Sequence, residues 1–394
     1  MQAELTPVKS GTVPIGSRYT SGMSLKSSNA AQLTERTLHC RVRDKHARWL
    51  LEQARAVNFV WNYDNELSAK VLEREGRFLS GFDLHTYTRG ATKAGLELHS
   101  QTVQAVNEEY ARRRKQAQKA RLRWRVSDRN RSNYSLAWIP FKKSAIRYRN
   151  GQLHFQGMPI GLWDSYRLSQ YELGPGCFAE DARGRWYLNI VVKRKRATEG
   201  VLPLSRAVGI DLGLKDFLAT SDALKVEAQQ FYRDQEQSLA IAQRAGKKAR
   251  VRAIHARIKQ RRKDFLHKLS TRLVREHGAI FVGNVNAAAL SQTRQAKSVL
   301  DAGWSAFRTM LRYKCDDARV WFDEVDEAYS TQTCSACSAR CGPKGIAGLG
   351  IREWRCKQCE AVHDRDVNAA RNILAAGRRR LAEGILALSA KAAA

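Results

Sequence analysis

Hydrophobic periodicity divides the chain into two regions, and the first opens with a strand followed by a long helix. The segment RTLHCRVR, from Arg36, alternates apolar and polar residues as a strand does. In the next segment, DKHARWLLEQARAVNFVWNYDNELSAKVLE, apolar residues recur at the spacing of an amphipathic helix. We expect its aromatic residues to pack in a core rather than to stack on bases. The positions that set the helical spacing are Trp49, Leu50, Ala54, Val57, Val60 and Trp61.

The rest of the first region predicts a further helix and more strands. Thr102 to Arg125 is predicted to be helical. SAIRYRNGQLHFQG carries Asn150-Gly151 between two alternating segments, a strong signal for a β-hairpin. GRWYLNIVVK predicts another strand. A strand, then helices, then more strands indicates a small β module with a helical insertion, over residues 35–205.

The second region, from Arg206, predicts a mixed α/β sheet. RAVGIDLGLKDFLATSD predicts two strands joined by a turn at Leu212-Gly213, and GAIFVGNVN and RVWFDEVDEAYS predict two more. Helices are predicted between them: a long region from Gln235 to His277, the segment VLDAGWSAFRTMLRYKCDDA, and HDRDVNAARNILAAGRRRLAEG near the end. Strands that alternate with helices are typical of such a sheet.

The first thirty residues, MQAELTPVKSGTVPIGSRYTSGMSLKSSNA, are rich in Ser, Gly and Thr and contain no apolar core. This composition predicts a flexible tail, residues 1–34, and not a secretory signal. No segment approaches the ~18 consecutive apolar residues of a membrane span. We therefore expect a cytoplasmic, nucleoid-associated protein, in which structural disulfides are rare.

The charge of the chain points to nucleic acid. Sixty-nine Lys and Arg residues face 38 Asp and Glu residues, a net charge of +31. An enzyme of small metabolites needs no such excess, whereas a protein that neutralises phosphates and releases counterions does. A solvated basic surface, or a surface for an acidic protein, would also be basic, but the clustering of the charges favours nucleic acid.

Two stretches concentrate this charge. Arg112–Arg125 holds eight basic residues in fourteen, Arg244–Lys263 holds ten, and neither contains an acid. Stretches this dense, without acids to pair with, are expected to follow a phosphate backbone. The residues expected to bind nucleic acid are Arg112, Arg113, Arg114, Lys115, Arg121, Arg123, Lys247, Lys248, Arg252, Arg261 and Arg262.

Four cysteines have the spacing of a zinc site. CSAC, with Cys334 and Cys337, is followed after eighteen residues by CKQC, with Cys356 and Cys359. Two C-x₂-C pairs at this separation place four thiolates around a tetrahedral zinc, and four protein ligands leave no open position for a water. The site is therefore expected to be structural. Cys341 is a spare thiol that could compete with Cys337, but its spacing is poorer.

Two aspartates suggest a second metal site. Asp211 lies in GIDLG on a predicted strand, and Asp366 lies in DRDVNAARN at the head of the last helix. Each motif alone is weak, because an Asp at such a position is more often in a turn or a helix cap, and Asp364 is a candidate N-cap. Together, on a sheet flanked by basic helices, they suggest carboxylates that hold magnesium for phosphodiester hydrolysis by two metal ions.

These segments together resemble the TnpB proteins of bacterial insertion sequences, which are RNA-guided DNA endonucleases and are considered ancestors of type V CRISPR effectors. The resemblance covers roughly residues 206–378, with a weaker echo in ERTLHCRVR and NFVWNYDNEL. It rests on six segments: GIDLGLKDFLATSD, RRKDFLHKLSTRLV, VLDAGWSAFRTMLRYK, EAYSTQTCSAC, GIREWRCKQC and HDRDVNAARNIL.

The resemblance implies a RuvC-like, RNase H-like α/β nuclease that follows a wedge-like β module with a helical recognition insertion. The nuclease would occupy residues 206–333 and 361–382, interrupted by a zinc ribbon at 334–360 and followed by a tail at 383–394. Asp211 would be its first catalytic residue and Asp366 its last. Magnesium would be the catalytic metal, zinc the structural one, and a noncoding guide RNA the bound partner.

One position departs from the family pattern. Many members carry a catalytic Glu in the strand that here reads FVGNV, where Gly283 stands, and the neighbouring Asn284 is a poor replacement for a charged oxygen ligand. Either the nuclease is inactive, or a carboxylate of RVWFDEVDEAYS reaches the same metal from the next strand. Glu327, at the end of that strand, is the first choice and Glu324 the second.

The expected function is an RNA-guided, magnesium-dependent endonuclease that acts on double-stranded DNA with a short motif beside the target. Base pairing with the guide would supply the specificity. Two alternatives stay open: a nuclease-dead, RNA-guided DNA-binding repressor, and a compact type V CRISPR effector.

Overall fold

The computed structural model describes residues 33–195, 201–285, 301–344 and 347–393. Nearly all of the predicted N-terminal tail therefore lies outside the described residues, as does the start of the helix predicted from Val299. In the part of the chain that the structure describes, no helix is long and apolar enough to cross a membrane.

The first region folds around a five-stranded antiparallel sheet in the order β2-β7-β8-β1-β6. Its strands are β1 (Leu33–Val42), β2 (Trp138–Phe141), β6 (Leu162–Trp163), β7 (Glu172–Glu180) and β8 (Trp186–Lys195). A second, three-stranded sheet contains β3 (Ile146–Arg149), β4 (Gln152–Phe155) and β5 (Met158–Ile160). The predicted hairpin joins β3 to β4, and Asn150 (φ 47°) and Gly151 (φ 73°) adopt the left-handed backbone that such a tight turn requires.

Three helices are inserted between β1 and β2: α1 (Ala47–Glu75), α2 (Gly81–Tyr87) and α3 (Ser100–Ala117). The helix predicted after the first strand is confirmed. Its apolar face packs on the sheet in one core, in which Trp49 is partly buried. The buried members of the predicted face are Leu50, Ala54, Val57, Val60 and Trp61.

The helix predicted to reach Arg125 ends eight residues earlier, at Ala117. The segment that follows is extended because asparagines of α1 take its backbone hydrogen bonds. Asn65 donates to the carbonyl of Leu122 and accepts from its N–H, at 2.9 and 2.8 Å. Asn62 makes the same pair of bonds to Arg125, both at 2.9 Å. Since these bonds satisfy backbone groups that a helix would have paired internally, the extended path is stabilised.

α1 carries a buried carboxyl group, Asp64. It is 0 % exposed, and its Oδ1 has no hydrogen-bond partner among the described residues. Burial raises the pKa of Asp64 to about 8. The carboxyl is therefore protonated in the folded protein at neutral pH, whereas it is ionised in the unfolded chain.

The pKa of Asp64 predicts how stability depends on pH. The folded pKa is the higher one, so the stabilisation is complete below the unfolded pKa of about 4 and is lost as pH rises through about 8. We expect the free energy of unfolding to fall by about 1.4 kcal/mol per pH unit across this window. Asp64→Asn should remove that slope in denaturant titrations at pH 5, 6, 7 and 8. The exposed control Asp44→Asn should keep it, and a slope unchanged in Asp64→Asn would contradict the assignment.

The second region contains a five-stranded mixed sheet in the order β11-β10-β9-β12-β13. Its strands are β9 (Ala207–Leu212), β10 (Asp216–Thr220), β11 (Lys225–Glu227), β12 (Ala279–Gly283) and β13 (Trp321–Val325). β12 runs parallel to both β9 and β13, while β10 is antiparallel to its neighbours. The mixed α/β character predicted for this region is confirmed.

Helices cover both faces of the mixed sheet. The helices of this region are α4 (Arg233–Arg244), α5 (Lys248–Glu276), α6 (Trp304–Ala318) and α7 (Arg365–Ala393), and α4 packs on α5. α5 and α6 pack on one face and α7 on the other. The long predicted helical region is two helices, since the chain turns at Gly246 (φ 63°). α7 extends to Ala393, so the residues that we expected to form a tail from 383 are helical.

Candidate functional site

The two faces of the mixed sheet separate the candidate acids. Val208, Ile210 and Leu212 of β9 point toward α5 and α6. Because side chains alternate along a strand, Gly209 and Asp211 point toward α7. The close approach of α7 to β9 agrees with this orientation, because a Cβ built on Gly209 would clash with the carbonyl oxygen of Ala370 in α7, at 2.1 Å. The candidate site is therefore on the α7 face, where that helix begins.

Gly283 and Glu327 lie on this same face. A Cβ built on Gly283 would lie 2.6 Å from Glu327 Oε2 and 3.1 Å from Cδ1 of Ile373 in α7. The side chain of Glu327 thus occupies the space that a side chain at position 283 would fill. Its Oε2 is buried and has no hydrogen-bond partner among the described residues. Asn284 accepts a hydrogen bond from the backbone N–H of Glu327 at 3.3 Å, which holds the end of β13 next to β12.

The electrostatics link three carboxylates. Burial, followed by the negative charges of Glu327 and Asp366, raises the pKa of Asp211 well above its ordinary range, against an opposing effect of Arg365. Burial also raises the pKa of Glu327, while Arg308 lowers it. Such raised pKa values are expected where acids are buried and gathered on one surface. The donor set suits magnesium, which takes carboxylate oxygens.

Asp366 is held at the start of α7. Asp364 is the N-cap of this helix, as predicted: its Oδ1 accepts from the N–H groups of Asp366 and Val367, at 3.1 and 3.0 Å. The other oxygen of Asp364 pairs with Lys225 at 2.6 Å. Asp366 is thereby left free of the capping role, and its Oδ2 lies 3.3 Å from Nη1 of Arg352.

Glu324, the second-choice acid, points to the opposite face. Its carboxylate lies 3.2 Å from Arg308 and 2.5 Å from Arg312, both on α6. Asp323 lies on the α7 face but pairs with Arg380 at 3.3 Å. Since both acids already have arginine partners, Glu327 differs from them in its unpaired oxygen.

The four predicted cysteines form a compact group. One sulfur from each of Cys334, Cys337, Cys356 and Cys359 lies within 4.8 Å of all the others. The Sγ–Sγ distances are 3.6 Å for Cys337–Cys356 and 3.7 Å for Cys334–Cys359. A tetrahedron with Zn–S bonds of about 2.3 Å has edges of about 3.8 Å, so the group fits zinc. Backbone N–H groups of Cys359 and Gln358 lower the pKa of Cys356 to about 6, which favours the thiolate that the metal binds.

His363 is a residue of this site that sequence reasoning missed. Its Nε2 lies 3.0 Å from Cys334 Sγ, and both residues are buried. Burial, and then Arg371, lower the pKa of His363, which favours the neutral ring. A neutral imidazole that donates from Nε2 would orient the sulfur, as outer partners of metal ligands do. The sequence signal was its place in CEAVHD, four residues after the last cysteine.

The basic residues proposed to bind nucleic acid fall into two groups. Arg114 is 5 % exposed and donates to the carbonyl of Leu79, so in this structure its side chain supports the packing of α3. Arg262 is half-buried and pairs with Asp301 at 2.5 Å. Arg112 and Arg113 are exposed, but both pair with Glu109, an acid just before the stretch that the prediction overlooked. The remaining residues are exposed: Lys115, Arg121, Arg123, Lys247, Lys248, Arg252 and Arg261.

Part of this group lies on the extended segment after α3, which hydrogen bonds from α1 hold in place. Leu122 and Arg125 are held by Asn65 and Asn62, and the residues between and before them are exposed. These are Arg121, Arg123 and Trp124, and the indole of Trp124 is 51 % exposed. An aromatic plane flanked by arginines is a suitable surface for a base and its phosphates.

We expect Arg121→Ala with Arg123→Ala to weaken nucleic-acid binding mainly at low salt. If each arginine neutralises one phosphate, the slope of log K against log salt should become less negative by about 1.4 to 1.8. Fluorescence titrations with a labelled oligonucleotide at several salt concentrations measure this slope. The control Arg48→Ala, at an exposed position of α1, should leave it unchanged, and an unchanged slope in the double variant would exclude the contact.

Profile comparisons match two parts of the chain. Residues 190–294 match OrfB_IS605, described as "Probable transposase", and residues 304–373 match the Cas12f1-like TNB domain. A Streptomyces pristinaespiralis protein named as a candidate RNA-guided DNA endonuclease is 36% identical over 267 residues, which are 62% of this chain and 63% of that protein. InsQ of Escherichia coli K12, named in the same way, is 27% identical over 298 residues, 65% of this chain and 72% of InsQ. The resemblance to the TnpB-type proteins is confirmed.

The likeness to this group extends to the fold. A Cas12f1 chain in its solved complex with sgRNA and target DNA superimposes with a TM-score of 0.53, over 84% of this chain and 82% of that one, at 13% identity. At this identity the superposition shows a common fold and not a common activity. The chain spans less than two thirds of the length of the Streptomyces relative, so the activity and partners of TnpB-type proteins are proposals for this chain.

Proposed function

We propose that this chain is an RNA-guided, magnesium-dependent DNA endonuclease of the TnpB type, with a RuvC-like nuclease built on the mixed sheet. The observation that carries the proposal is the position of Glu327, whose side chain fills the space beside Gly283. The loss of a Glu from the strand is thereby offset by a carboxylate from the next one. A buried carboxylate oxygen without a hydrogen-bond partner costs stability, and in an inactive nuclease no metal binding would offset that cost.

Asp211, Glu327 and Asp366 would hold the metal. Bound magnesium would supply an activated water and would stabilise charge on the scissile phosphate. The chain contributes the arrangement: β9 and α7 carry the two aspartates, and Asn284 holds the backbone of Glu327. Asp364 caps α7, so Asp366 is not used for that purpose.

The remaining regions would handle nucleic acid. The five-stranded antiparallel sheet with α1–α3 would be the wedge-like module, residues 35–205, and the nuclease would occupy 206–333 and 361–382 around the ribbon. The exposed arginines and lysines after α3 and along α5 would neutralise the phosphates of a guide RNA and its target DNA. Base pairing would select the sequence, and the protein would read a short adjacent motif and the shape of the heteroduplex.

The test is reconstitution from the native gene with its flanking DNA. We expect the purified protein to carry one structured RNA transcribed from that flank, identified by sequencing, and to cut a matching DNA target when magnesium is present. Protein stripped of RNA should not cut that target. Sequence-specific cleavage by a preparation free of nucleic acid would contradict the guided mechanism.

A further inference from the structure

The zinc ribbon contains a fifth thiol that the four-cysteine pattern leaves unused. Cys341 Sγ lies 3.3 Å from Cys356 Sγ, which is nearer than the 3.6 Å between Cys337 and Cys356. Two thiols of the first knuckle therefore stand beside the same sulfur of the second.

The backbone explains why both thiols reach this point. Cys334 N–H donates to the carbonyl of Ala339 at 2.8 Å, and Thr333 forms a bridge with Arg340, so the chain folds back directly after Cys337. The N–H of Gly342 then donates to the carbonyl of Gln332 at 2.8 Å and holds the returning chain. This reversal brings position 341 to the same end of the ribbon as position 337.

The thiols of the ribbon differ in burial. Cys334 and Cys356 are 0 % and 1 % exposed and belong to the small core with Trp354. Cys337 and Cys341 are both partly buried, and Cys359 is exposed. Cys337 and Cys341 are therefore alike in their access to solvent, and both lie beside the buried sulfur of Cys356.

We propose that Cys341 is an alternative zinc ligand that can replace Cys337, so that the ribbon holds zinc through either thiol. In the exchange, the Zn–S bond to Cys337 breaks and its thiolate takes up a proton, while the Cys341 thiol loses a proton and forms the new Zn–S bond. No oxidant is needed, and the total charge does not change. Zn²⁺ has no d-electron preference for one geometry, so it can be held by Cys334, Cys356 and Cys359 together with either Cys337 or Cys341.

The sulfur atoms of Cys334, Cys337, Cys356 and Cys359 all lie within 4.8 Å of one another, and this group does not include Cys341. The exchange therefore requires a small movement of Cys341 toward the metal position. Cys337 is thus the ligand in the arrangement described, and Cys341 is the reserve. The inference concerns metal binding by the ribbon and does not rest on the proposed nuclease activity.

The test uses the full chain and compares Cys337→Ser, Cys341→Ser, the double variant and Cys356→Ser. Bound zinc is measured by mass spectrometry of the metal after dialysis, and the coordination by the absorption of the cobalt(II)-substituted protein. We expect each of the first two variants to keep about one zinc per chain with four-sulfur cobalt bands. The double variant and Cys356→Ser should bind zinc about tenfold or more weakly.

Two results would overturn the proposal. The first is a Cys337→Ser protein that loses zinc as Cys356→Ser does. The second is a double variant that keeps zinc, since another group would then complete the site. If Cys337→Ser does not fold, the proposal is tested instead by alkylating the zinc-loaded native protein and measuring which cysteines are labelled. Partial labelling of both Cys337 and Cys341, with Cys334 protected, supports exchange, whereas full protection of Cys337 with full labelling of Cys341 refutes it.

Discussion

Replacing Glu327 by Gln is expected to lower target cleavage by about 1,000-fold or more, while RNA-guided DNA binding stays intact. Gln keeps the volume of the side chain beside Gly283 but removes the charge that a magnesium ion needs. Asp211→Ala should lose activity to the same degree. The measurements are cleavage of a labelled target in magnesium and, separately, target binding by the guide-loaded protein in calcium or chelator.

Glu324→Gln is the matched control, because Glu324 lies three residues before Glu327, on β13, but faces α6 and pairs with Arg308 and Arg312. We expect a small loss of stability and near-native cleavage. If Glu324→Gln abolishes cleavage and Glu327→Gln does not, the assignment of the third carboxylate is wrong.

The space shared by positions 283 and 327 allows a rescue experiment. Gly283→Glu alone should impair cleavage, because a Cβ there lies 2.6 Å from Glu327 Oε2. Gly283→Glu combined with Glu327→Ala frees that space and returns the acid to the strand, so it should cleave better than Glu327→Ala. A guide-loaded native protein that binds its target in magnesium without nicking it would instead establish the repressor alternative.

Replacing Cys356 by Ser is expected to release zinc and to reduce cleavage together. Zinc binding supplies folding energy to such ribbons, so the loss of one buried thiolate should loosen the whole insert. The effect should reach the candidate site because β15 (Val362–Asp364), which pairs with β14 (Glu353–Arg355), leads directly into α7. Asn368 of α7 also binds the ribbon, donating to the carbonyl of Thr333 at 2.8 Å and accepting from Ser335 N–H at 2.9 Å.

The readouts for Cys356→Ser are zinc content, protease sensitivity within residues 334–360, and cleavage. Cys177→Ser, in the antiparallel sheet of the first region, serves as the thiol control and should keep zinc and activity. Native protein that contains no zinc by metal analysis would refute the site. Zinc loss with full cleavage would show that the ribbon does not position Asp366.

Local patterns in the sequence predicted most elements because their causes are local. The helical spacing of apolar residues in α1, the Asn150-Gly151 turn and the capping of α7 by Asp364 each depend on neighbours within a few residues. The spacing of the two C-x₂-C pairs likewise predicted which four sulfurs would meet. The two regions and the mixed sheet followed from the order of these elements.

Other features depend on residues that are distant in sequence, and only the tertiary structure decided them. α3 stops at Ala117 because Asn62 and Asn65, more than fifty positions earlier, take the backbone hydrogen bonds of the following segment. The burial of Arg114 against Leu79 could not be read from its basic neighbours.

The candidate active site shows the same division. The sequence named Glu327 as the first-choice acid and Glu324 as the second, but it did not tell which face of the sheet carries Asp211. The packing of α7 on Gly209 and Gly283 decided this. Because Gly283 has no side chain, the space beside it is available to the side chain of Glu327. The sequence by itself thus determined the helices and strands and the candidate acids. The packing of α7 across the parallel strands decided that Glu327, and not Glu324, lies at the candidate site.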